Sequence, residues 1–368
     1  MQNRICVIGN IGPHYRFPIY NLMNTEFKCD FYFGDRLLVQ IKQFPYNDLT
    51  GFKRTLKNRF CGKLYWMAGS VRLAFKKYNI YILDGEPYCI SSWFILILCI
   101  IMKKRTIAWT HGWYGRENKI KSIIKKFYFG LFSDLLVYGE HAIRLMKEQG
   151  FSPEKMHCIA NSLDSDKDLK LRSELKSTSV YKNHFGNSCS TVIYCGRIQK
   201  WKKLEMLIDA ISLLKAEGKN VNVIFVGKDV EDVRIGDYAR SNGLSDQVWM
   251  YGPCYDDLIL GELFYNAAVC VSPGNVGLTA IHSLSFGCPV ITHDDFRYQN
   301  PEFEAIIPGK TGDFFKYGSV ADMARIIWKW CSIGPSDREI IKQESYREID
   351  RKWNIHYQIN VIKQVVCE

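Results

Sequence analysis

The residues from Ser272 to Thr292 have the types and spacing of an anion-binding turn. The segment SPGNVGLTAIHSLSFGCPVIT predicts a strand end, a turn containing glycine and asparagine, a helix and a second buried strand. The backbone N–H groups of Gly277, Leu278 and Thr279 open the predicted helix, where unpaired donors and the positive helix end favour an anion. An ordinary strand-to-helix turn is the alternative, because glycine turns before helices are common.

Two basic side chains flank a second turn of this kind. The segment VIYCGRIQKWKKLEMLIDAISLLK, residues 192–215, predicts a buried strand, a turn at Gly196 and a helix with apolar residues three and four apart. Arg197 and Lys202 lie five residues apart across this turn, so both cations could converge on one diphosphate. The alternative is a solvated basic loop. The two turns together favour a diphosphate site in the second half of the chain.

The pair of segments resembles the C-terminal half of GT-B glycosyltransferases of the family 4 type, also called group 1. That family has Gly-Arg followed by lysine, then a glycine-rich turn and a Gly-x-Pro strand, and Arg197 and Lys202 match its diphosphate-binding pair. The stretches IANSLD, VIFVGKD and PEFEAIIPGKTGDFF resemble the family too, and the last places Glu304 on a family glutamate. The resemblance covers most of residues 155–330 and the first half only in outline.

One departure from the family concerns donor recognition. The family usually has two glutamates eight residues apart around the phosphate turn, the first touching the donor sugar and the second the ribose. Gly274 and His282 hold those places here. Neither residue supplies a carboxylate, but His282 can still hydrogen-bond a ribose hydroxyl through a ring nitrogen, and Asn275 could reach the sugar. A partly buried helix histidine satisfied by the backbone is the alternative for His282, and loss of activity would also explain the departure.

The resemblance implies an α/β protein of the GT-B fold, with two doubly wound parallel-sheet, Rossmann-like domains that face a cleft. The length of 368 residues also predicts two domains, because it exceeds what one core normally fills. We expect an N-terminal acceptor-binding domain at residues 1–165 and a nucleotide-sugar-binding domain at 190–335. Helices at 336–368 are expected to cross back to the first domain.

The first half alternates short hydrophobic strands with helices, and each strand ends in Gly, Asp or His. Binding residues in open parallel sheets gather at the carboxyl ends of strands. The candidates for the acceptor or cleft side are Gly12, His14, Asp84 and Glu86. His111 ends the strand TIAWTHG, as the active-site histidine does in the resembled family, and could hydrogen-bond the donor sugar or the acceptor hydroxyl. A strand-end histidine that only caps the next turn is the alternative.

Positive charge is concentrated in the first half. Residues 1–150 contain 23 Lys and Arg against 10 Asp and Glu, a net of +13, which exceeds the whole chain's +11. The segments at 52–78 and 119–132 read as basic amphipathic helices that could lie on an anionic membrane, or as core-packed helices with solvated basic faces.

The apolar segment ISSWFILILCIIM, 90–102, reads as a buried helix too short to cross a bilayer. Any membrane contact should therefore be peripheral. Nucleic acid is not an expected partner, since no binding signature accompanies the charge.

Neither a metal nor another cofactor is expected. Asp164-Ser165-Asp166 resembles the metal motif of the other large glycosyltransferase fold, but it lies in a predicted polar connector, 161–190, and Asp164 belongs to the family match. The thirteen cysteines show no Cys-x-x-Cys spacing and read as reduced. With no signal peptide apparent, the predicted location is the cytoplasm, extending to the inner face of the membrane.

The predicted function is retaining transfer of a sugar from a nucleoside-diphosphate donor to a hydroxyl of a glycan or lipid-linked acceptor. The resemblance places it in the biosynthesis of a polysaccharide such as capsule, O-antigen or exopolysaccharide. Two alternatives remain open. Another GT-B enzyme, such as a sugar-nucleotide epimerase, would share the donor half, and a non-catalytic nucleotide-sugar-binding protein would explain the missing glutamates.

Overall fold

The computed structural model describes residues 4–39 and 41–367. They form two compact units, the first comprising residues up to Asp164 together with those from Asn354, and the second Ser165–Trp353. Each unit is built on its own sheet, in which nearly all neighbouring strands are parallel. The predicted α/β class with two parallel-sheet domains is confirmed.

The first unit contains an eight-stranded sheet. Its elements are β1 (Ile5–Gly9), α1 (Phe17–Phe27), β2 (Asp30–Gly34), β3 (Phe52–Cys61), β4 (Leu64–Ala68), β5 (Ile80–Asp84), α2 (Ile90–Ile101), β6 (Arg105–Thr110), α3 (Lys119–Gly130), β7 (Asp134–Val137), α4 (Glu140–Glu148) and β8 (Met156–Cys158). The strand order is β4-β3-β2-β1-β5-β6-β7-β8, and β3 and β4 pair antiparallel. The chain reverses its direction of winding between β1 and β5. This switch point is where ligands bind in such sheets.

The second unit contains a six-stranded parallel sheet. Its elements are α5 (Ser165–Glu174), α6 (Val180–Phe185), β9 (Thr191–Cys195), α7 (Glu205–Ala216), β10 (Asn222–Val226), α8 (Ile235–Ser241), β11 (Val248–Gly252), α9 (Asp257–Asn266), β12 (Val269–Ser272), α10 (Leu278–Ser285), β13 (Val290–His293), β14 (Gly312–Phe315), α11 (Val320–Cys331) and α12 (Pro335–Lys352). The order is β11-β10-β9-β12-β13-β14, with the switch point between β9 and β12.

The last two helices belong to different units. The sequence assigned residues 336–368 together to helices that cross back to the first domain. In the structure α12 packs against α10 of the second unit, whereas the final helix, α13 (Ile355–Cys367), packs against α1 and β8 of the first.

Central strands of both sheets are continuous apolar runs because helices cover both faces of a parallel sheet. Every residue of β1 and of β10 is buried, and β9 is buried up to Tyr194. These runs explain why the sequence indicated the strands correctly. They place the carboxyl ends of β1, β5, β9 and β12 at the switch points, where the candidate residues lie.

The prediction of a helix at 52–78 is wrong. This segment forms the β3–β4 hairpin, with Gly62 at φ 58° in the turn that joins the strands. Leu56 and Asn58 of β3, and Tyr65 and Met67 of β4, are buried at alternate positions. A period of two is a strand pattern, and the basic residues between them face outward.

Two further expectations need correction. The predicted polar connector 161–190 contains two helices, α5 and α6, so it is not irregular chain. The segment 90–102 is helical as predicted, but its burial is one-sided, since Phe94, Ile97 and Ile101 are exposed. In the part of the chain that the structure describes, no helix is long and apolar enough to cross a membrane.

Candidate functional site

The two predicted turns meet at the switch point of the second sheet. β9 leads into Gly196 and Arg197, and β12 leads into the loop that precedes α10. The hydroxyl of Thr279, in the first turn of α10, donates to the carbonyl oxygen of Cys195 at 3.0 Å. This hydrogen bond fixes the helix start against the end of β9. No side chain caps α10 at Gly277, so the helix start remains suited to an anionic ligand.

Lys202 connects the basic turn to the loop before α10. Its Nζ donates to both the backbone oxygen and the side-chain oxygen of Asn275 at 2.9 Å, and it lies 4.2 Å from the centre of the Trp201 ring. Burial and, after it, the nearby charge of Arg197 lower the pKa of Lys202 to about 8, although the charge of Glu302 partly opposes this change. Two cations therefore repel each other at this point, and a diphosphate would relieve that repulsion.

The backbone at Gly274 touches the basic turn directly. A Cβ atom at this position would lie 2.5 Å from the carbonyl oxygen of Trp201 and 2.7 Å from Cα of Lys202. A side chain at 274 would therefore push the two segments apart. The absence of the usual family glutamate at this position thus has a steric reason in this chain.

Gln299, which the sequence did not identify, supports the loop before α10. Its Oε1 accepts the N–H of Val276 at 2.8 Å, and its Nε2 donates to Thr292 Oγ1 at 2.8 Å and to the His293 carbonyl at 3.0 Å. It thereby joins the loop before α10 to the end of β13. No pattern in the sequence identifies such a residue, because its partners lie 6 to 23 positions away.

The predicted glutamate lies in a short helical turn, Pro301–Ala305. Glu304 is half-buried there. Glu302, two residues earlier and 2% exposed, is the carboxylate whose charge raises the pKa of Lys202. We therefore add Glu302 to the candidate residues, as a buried carboxylate whose charge partly offsets that of the basic turn.

His282 lies one helical turn into α10. Its ring centre is 5.4 Å from that of Phe264 and 5.1 Å from that of Phe286. Burial among these rings lowers the pKa of His282 below its ordinary value, and charges on Asp257 and Lys167 also act on it. The imidazole is therefore neutral at physiological pH and could bind a hydroxyl through one nitrogen.

A cavity of about 770 Å³ lies at the switch point of the first sheet. Of the predicted residues, Asp84, Glu86 and His111 line its wall, together with aromatic residues such as Trp93 and Tyr138. Burial raises the pKa of Glu86. The mixture of carboxylates, cations and aromatic faces is suited to a hydroxylated ligand, because it offers both hydrogen-bonding groups and ring surfaces.

Gly12 and His14 are not among the described residues that line this cavity, although their neighbours Ile11, Pro13 and Tyr15 are. The N–H of Gly12 donates to the Tyr46 hydroxyl at 2.9 Å, and a Cβ there would lie within 3 Å of the rings of Phe44 and Tyr46. His14 is exposed, with Nδ1 3.3 Å from the Lys42 carbonyl. The structure thus gives Gly12 a packing role.

Arg16, which the sequence did not identify, also lines the cavity. Its guanidinium donates to Asp84 Oδ1 at 3.2 Å and to the hydroxyls of Tyr20 and Tyr138, and it lies 4.9 Å from the centre of the Trp109 ring. The other oxygen of Asp84 accepts the N–H of Asn10 at 2.6 Å. Asp84 therefore joins the ends of β1 and β5 and holds Arg16 in place.

His111 faces the open cavity at the end of β6 and is solvent-accessible there. The residues around the ring partly desolvate it, and this effect together with the positive charges of Arg16 and Lys125 lowers the pKa of His111 to about 4. Its ring centre lies 4.7 Å from that of Tyr138. The imidazole is therefore neutral at physiological pH, so it can accept a hydrogen bond from a hydroxyl or donate one.

Glu117 organises the loop that follows His111. Its carboxylate accepts the N–H groups of Tyr114, Gly115 and Arg116 at 2.9–3.1 Å and binds Lys125 Nζ at 2.6 Å. Lys125 also donates to the carbonyl of Gly112 at 2.7 Å. These contacts lower the pKa of Glu117 despite its burial. The ion pair thus fixes the wall of the cavity next to His111.

The prediction that no metal is needed concerns the carboxylate, histidine and cysteine side chains. Within residues 4–39 and 41–367, no group of three or more His, Cys, Asp or Glu side chains is placed to hold a metal ion. Asp164 and Asp166 lie at the start of α5, where carboxylates are favoured by the helix dipole. Metal independence stays a prediction.

Comparisons with known proteins agree with this architecture. Residues 182–347 match the family of glycosyl transferases group 1. No curated protein matches the chain by sequence. Among solved structures, HepE of Anabaena in complex with UDP is similar, with a TM-score of 0.75 and 14% identity, covering 99% of this chain and 100% of that one. The lipopolysaccharide outer core galactosyltransferase WaaB has a TM-score of 0.71 at 15% identity, covering 98% and 99%. Sucrose-phosphate synthase of Thermosynechococcus elongatus has 0.69 at 14%, covering 99% and 98%.

These matches confirm two of the predictions. The GT-B fold is shared with the solved structures, and the group 1 glycosyltransferase assignment agrees with the family match in the second unit. The family 4 subtype and the polysaccharide pathway stay predictions.

Proposed function

We propose that the protein transfers a sugar from a nucleoside-diphosphate sugar to a hydroxyl, with retention of the anomeric configuration. The match of residues 182–347 to the group 1 glycosyltransferases supports this proposal. The observation that carries this proposal is the Arg197–Lys202 pair at the switch point of the second sheet. Lys202 is held by Asn275 with a pKa lowered to about 8, so the site has a cation that an anionic ligand would stabilise. The similar HepE structures contain UDP and UDP-glucose, which supports a uridine nucleotide as the first donor to test.

The proposed chemistry follows from where charge grows. In glycosyl transfer the leaving diphosphate gains negative charge in the transition state, and fixed cations and backbone donors stabilise it more than the ground state. Arg197, Lys202 and the N–H groups at Gly277, Leu278 and Thr279 would supply this stabilisation without a metal. The leaving phosphate oxygen would then accept the proton of the acceptor hydroxyl. Asn275 and His282 would contact the donor sugar and ribose.

The first unit would bind the acceptor. The cavity of about 770 Å³ provides aromatic faces for sugar rings and places Asp84, Glu86 and the neutral His111 along its wall. His111 would hydrogen-bond the donor sugar or the acceptor hydroxyl. A glycan or a lipid-linked glycan is the acceptor class that we propose, in bacterial polysaccharide biosynthesis. The likeness to a lipopolysaccharide galactosyltransferase supports this choice. A cytoplasmic enzyme at the inner face of the membrane would fit such an acceptor.

A binding test separates this function from an unrelated one. A nucleoside-diphosphate ligand should raise the melting temperature, because a ligand stabilises the native state by RT ln(1 + [L]/Kd). UDP, GDP, ADP and TDP and their glucose derivatives would be screened. Arg197→Ala should remove most of the shift, and Arg240→Ala, an exposed arginine paired with Asp237, is the control. If no nucleotide raises the melting temperature of the wild-type protein, the proposed donor site is refuted.

Two product assays decide between the alternatives. A non-catalytic binding protein is favoured by Gly274 and His282 in place of the usual glutamates, and slow donor hydrolysis without acceptor would exclude it. An epimerase would convert the donor to another sugar nucleotide in the absence of acceptor. Transfer to an added glycan with retained anomeric configuration would support the proposal over both.

A further inference from the structure

Two neighbouring helices of the first unit expose an unusual number of large apolar side chains. On α3, Ile120, Ile123, Ile124 and Phe127 follow the spacing i, i+3, i+4, i+7 and so form one stripe. On α2, Phe94, Ile97, Ile100 and Ile101 are exposed as well. The exposed fractions of these eight residues run from 46% to 71%. We name these eight residues the α2–α3 face.

The two halves of this face are continuous. The ring of Trp93 on α2 stacks on that of Phe127 on α3, with centres 6.0 Å apart, and the hydroxyls of Ser92 and Tyr128 lie 2.8 Å apart beneath them. Phe94 also packs against Trp66 of β4 at 5.3 Å. Contiguous apolar surface of this kind marks an interaction site, because isolated exposed side chains need no explanation and large patches do.

The charges beside the face select the partner. Lys119, Lys121 and Lys126 are exposed and flank the apolar stripe of α3 on its two sides. Neither α2 nor α3 contains an aspartate or a glutamate. A helix with an apolar stripe bordered by lysines lies in the plane of a membrane interface, with the lysines reaching the head groups. A symmetric contact with a second copy would instead bring the same lysines together.

We propose that the α2–α3 face inserts into the head-group region of an anionic lipid bilayer. The face borders the cavity of the first unit, since Trp93, Lys121 and Ile124 line that cavity too. An inserted face would place the bilayer at the mouth of this cavity. Only the following step rests on the proposed function, in which this cavity binds the acceptor. A lipid-linked acceptor could then keep its lipid in the membrane while its sugar enters the pocket.

Vesicle sedimentation tests the docking. The full chain is mixed with vesicles of phosphatidylcholine alone or with about a third of phosphatidylglycerol, at low and at high salt. Wild-type protein should bind only the anionic vesicles and be released by salt, because exposed charges are screened beyond about 8 Å at physiological ionic strength. Lys119→Gln/Lys126→Gln should weaken binding about 25-fold, at about fivefold for each charge. Lys176→Gln, an exposed lysine of the second unit, is the matched control.

The apolar contribution needs its own variants. Ile120→Ser/Ile123→Ser/Phe127→Ser should abolish binding to the anionic vesicles, whereas Ile340→Ser, which removes an exposed isoleucine from α12, should not change it. Unchanged binding of the triple variant, or equal binding of wild-type protein to both vesicles, would overturn the proposal. The proposal would also be overturned if the wild-type protein were a dimer in vesicle-free buffer and the triple variant a monomer, since a second copy would then cover the face.

Donor binding keeps this result separate from the proposed function. UDP should stabilise the triple variant as much as the wild-type protein, which also shows that the variant is folded. Vesicle binding without any nucleotide binding would leave the docking proposal standing and refute the glycosyltransferase site. Nucleotide binding without vesicle binding would do the opposite.

Discussion

Lys202 makes UDP binding dependent on pH in a defined direction. Its pKa falls from 10.5 to about 8 in the unliganded protein. A shift of this size corresponds to about 3 kcal/mol by which the surroundings disfavour the ammonium form. A bound diphosphate would favour the ammonium form and raise the pKa again. The ligand should therefore prefer the protonated lysine, and its affinity should fall as the pH rises through 8.

The size of the effect follows from linkage between proton and ligand binding. If the pKa returns to its ordinary value in the complex, the Kd for UDP should rise about tenfold between pH 7 and pH 9. At pH 8.5 about 0.8 of a proton should be taken up for each UDP bound. Isothermal titration calorimetry in buffers of different ionisation enthalpy measures both quantities.

Lys202→Arg is the matched control for this experiment. A guanidinium keeps its charge throughout the range, so the variant should lose the pH dependence that belongs to the lysine while retaining that of UDP itself. The difference between the two profiles isolates residue 202. Identical profiles, or no proton uptake by the wild-type protein at pH 8.5, would refute the conclusion that the unliganded protein disfavours the charged form of Lys202 and that the ligand restores it.

Three further predictions concern the same sites. His111→Ala should lower turnover about 100-fold and affect donor affinity far less, whereas His282→Ala should weaken donor binding by about 1–3 kcal/mol. Calorimetry and product formation would show the reverse pattern if the assignment is wrong. Gly274→Ala should weaken UDP binding because the new Cβ would lie 2.5 Å from the Trp201 carbonyl oxygen. Gly334→Ala is its control, since a Cβ added there would have no atom within 4 Å. Equal UDP affinities of the two variants would contradict the packing argument. Transfer should persist in a chelator, and its loss followed by recovery with magnesium or manganese would contradict metal independence.

Local patterns in the sequence predicted the second unit well. The apolar runs of β9 and β12, the turn at Gly196 and the helix after Gly277 are set by residues close together in the chain. Such features depend on backbone preference and on the period of burial, which short segments specify by themselves. The prediction that Arg197 and Lys202 share one anion site rests on the same local reasoning.

The first unit was harder to predict for a physical reason. Residues 52–78 contain enough basic and apolar residues to suit a helix or a hairpin, and the hairpin forms because β3 pairs with β2 along the sheet edge. Arg16 carries no motif, and it reaches the cavity only because β5 brings Asp84 beside it from 68 residues away. Neither partner is visible from the other's neighbourhood in the chain.

The sequence by itself determined the strands and helices that flank the turns after β9 and β12, the glycine-bearing turn before α10 and the surplus of positive charge in the first half. Only the tertiary structure decided that Asn275 holds Lys202, that position 274 has no room for a side chain, and that the apolar residues of α2 and α3 are exposed and adjacent. The reason is that burial and contact depend on what packs against a segment. That partner is supplied by distant parts of the chain, whereas helical period and turn chemistry are properties of the segment alone.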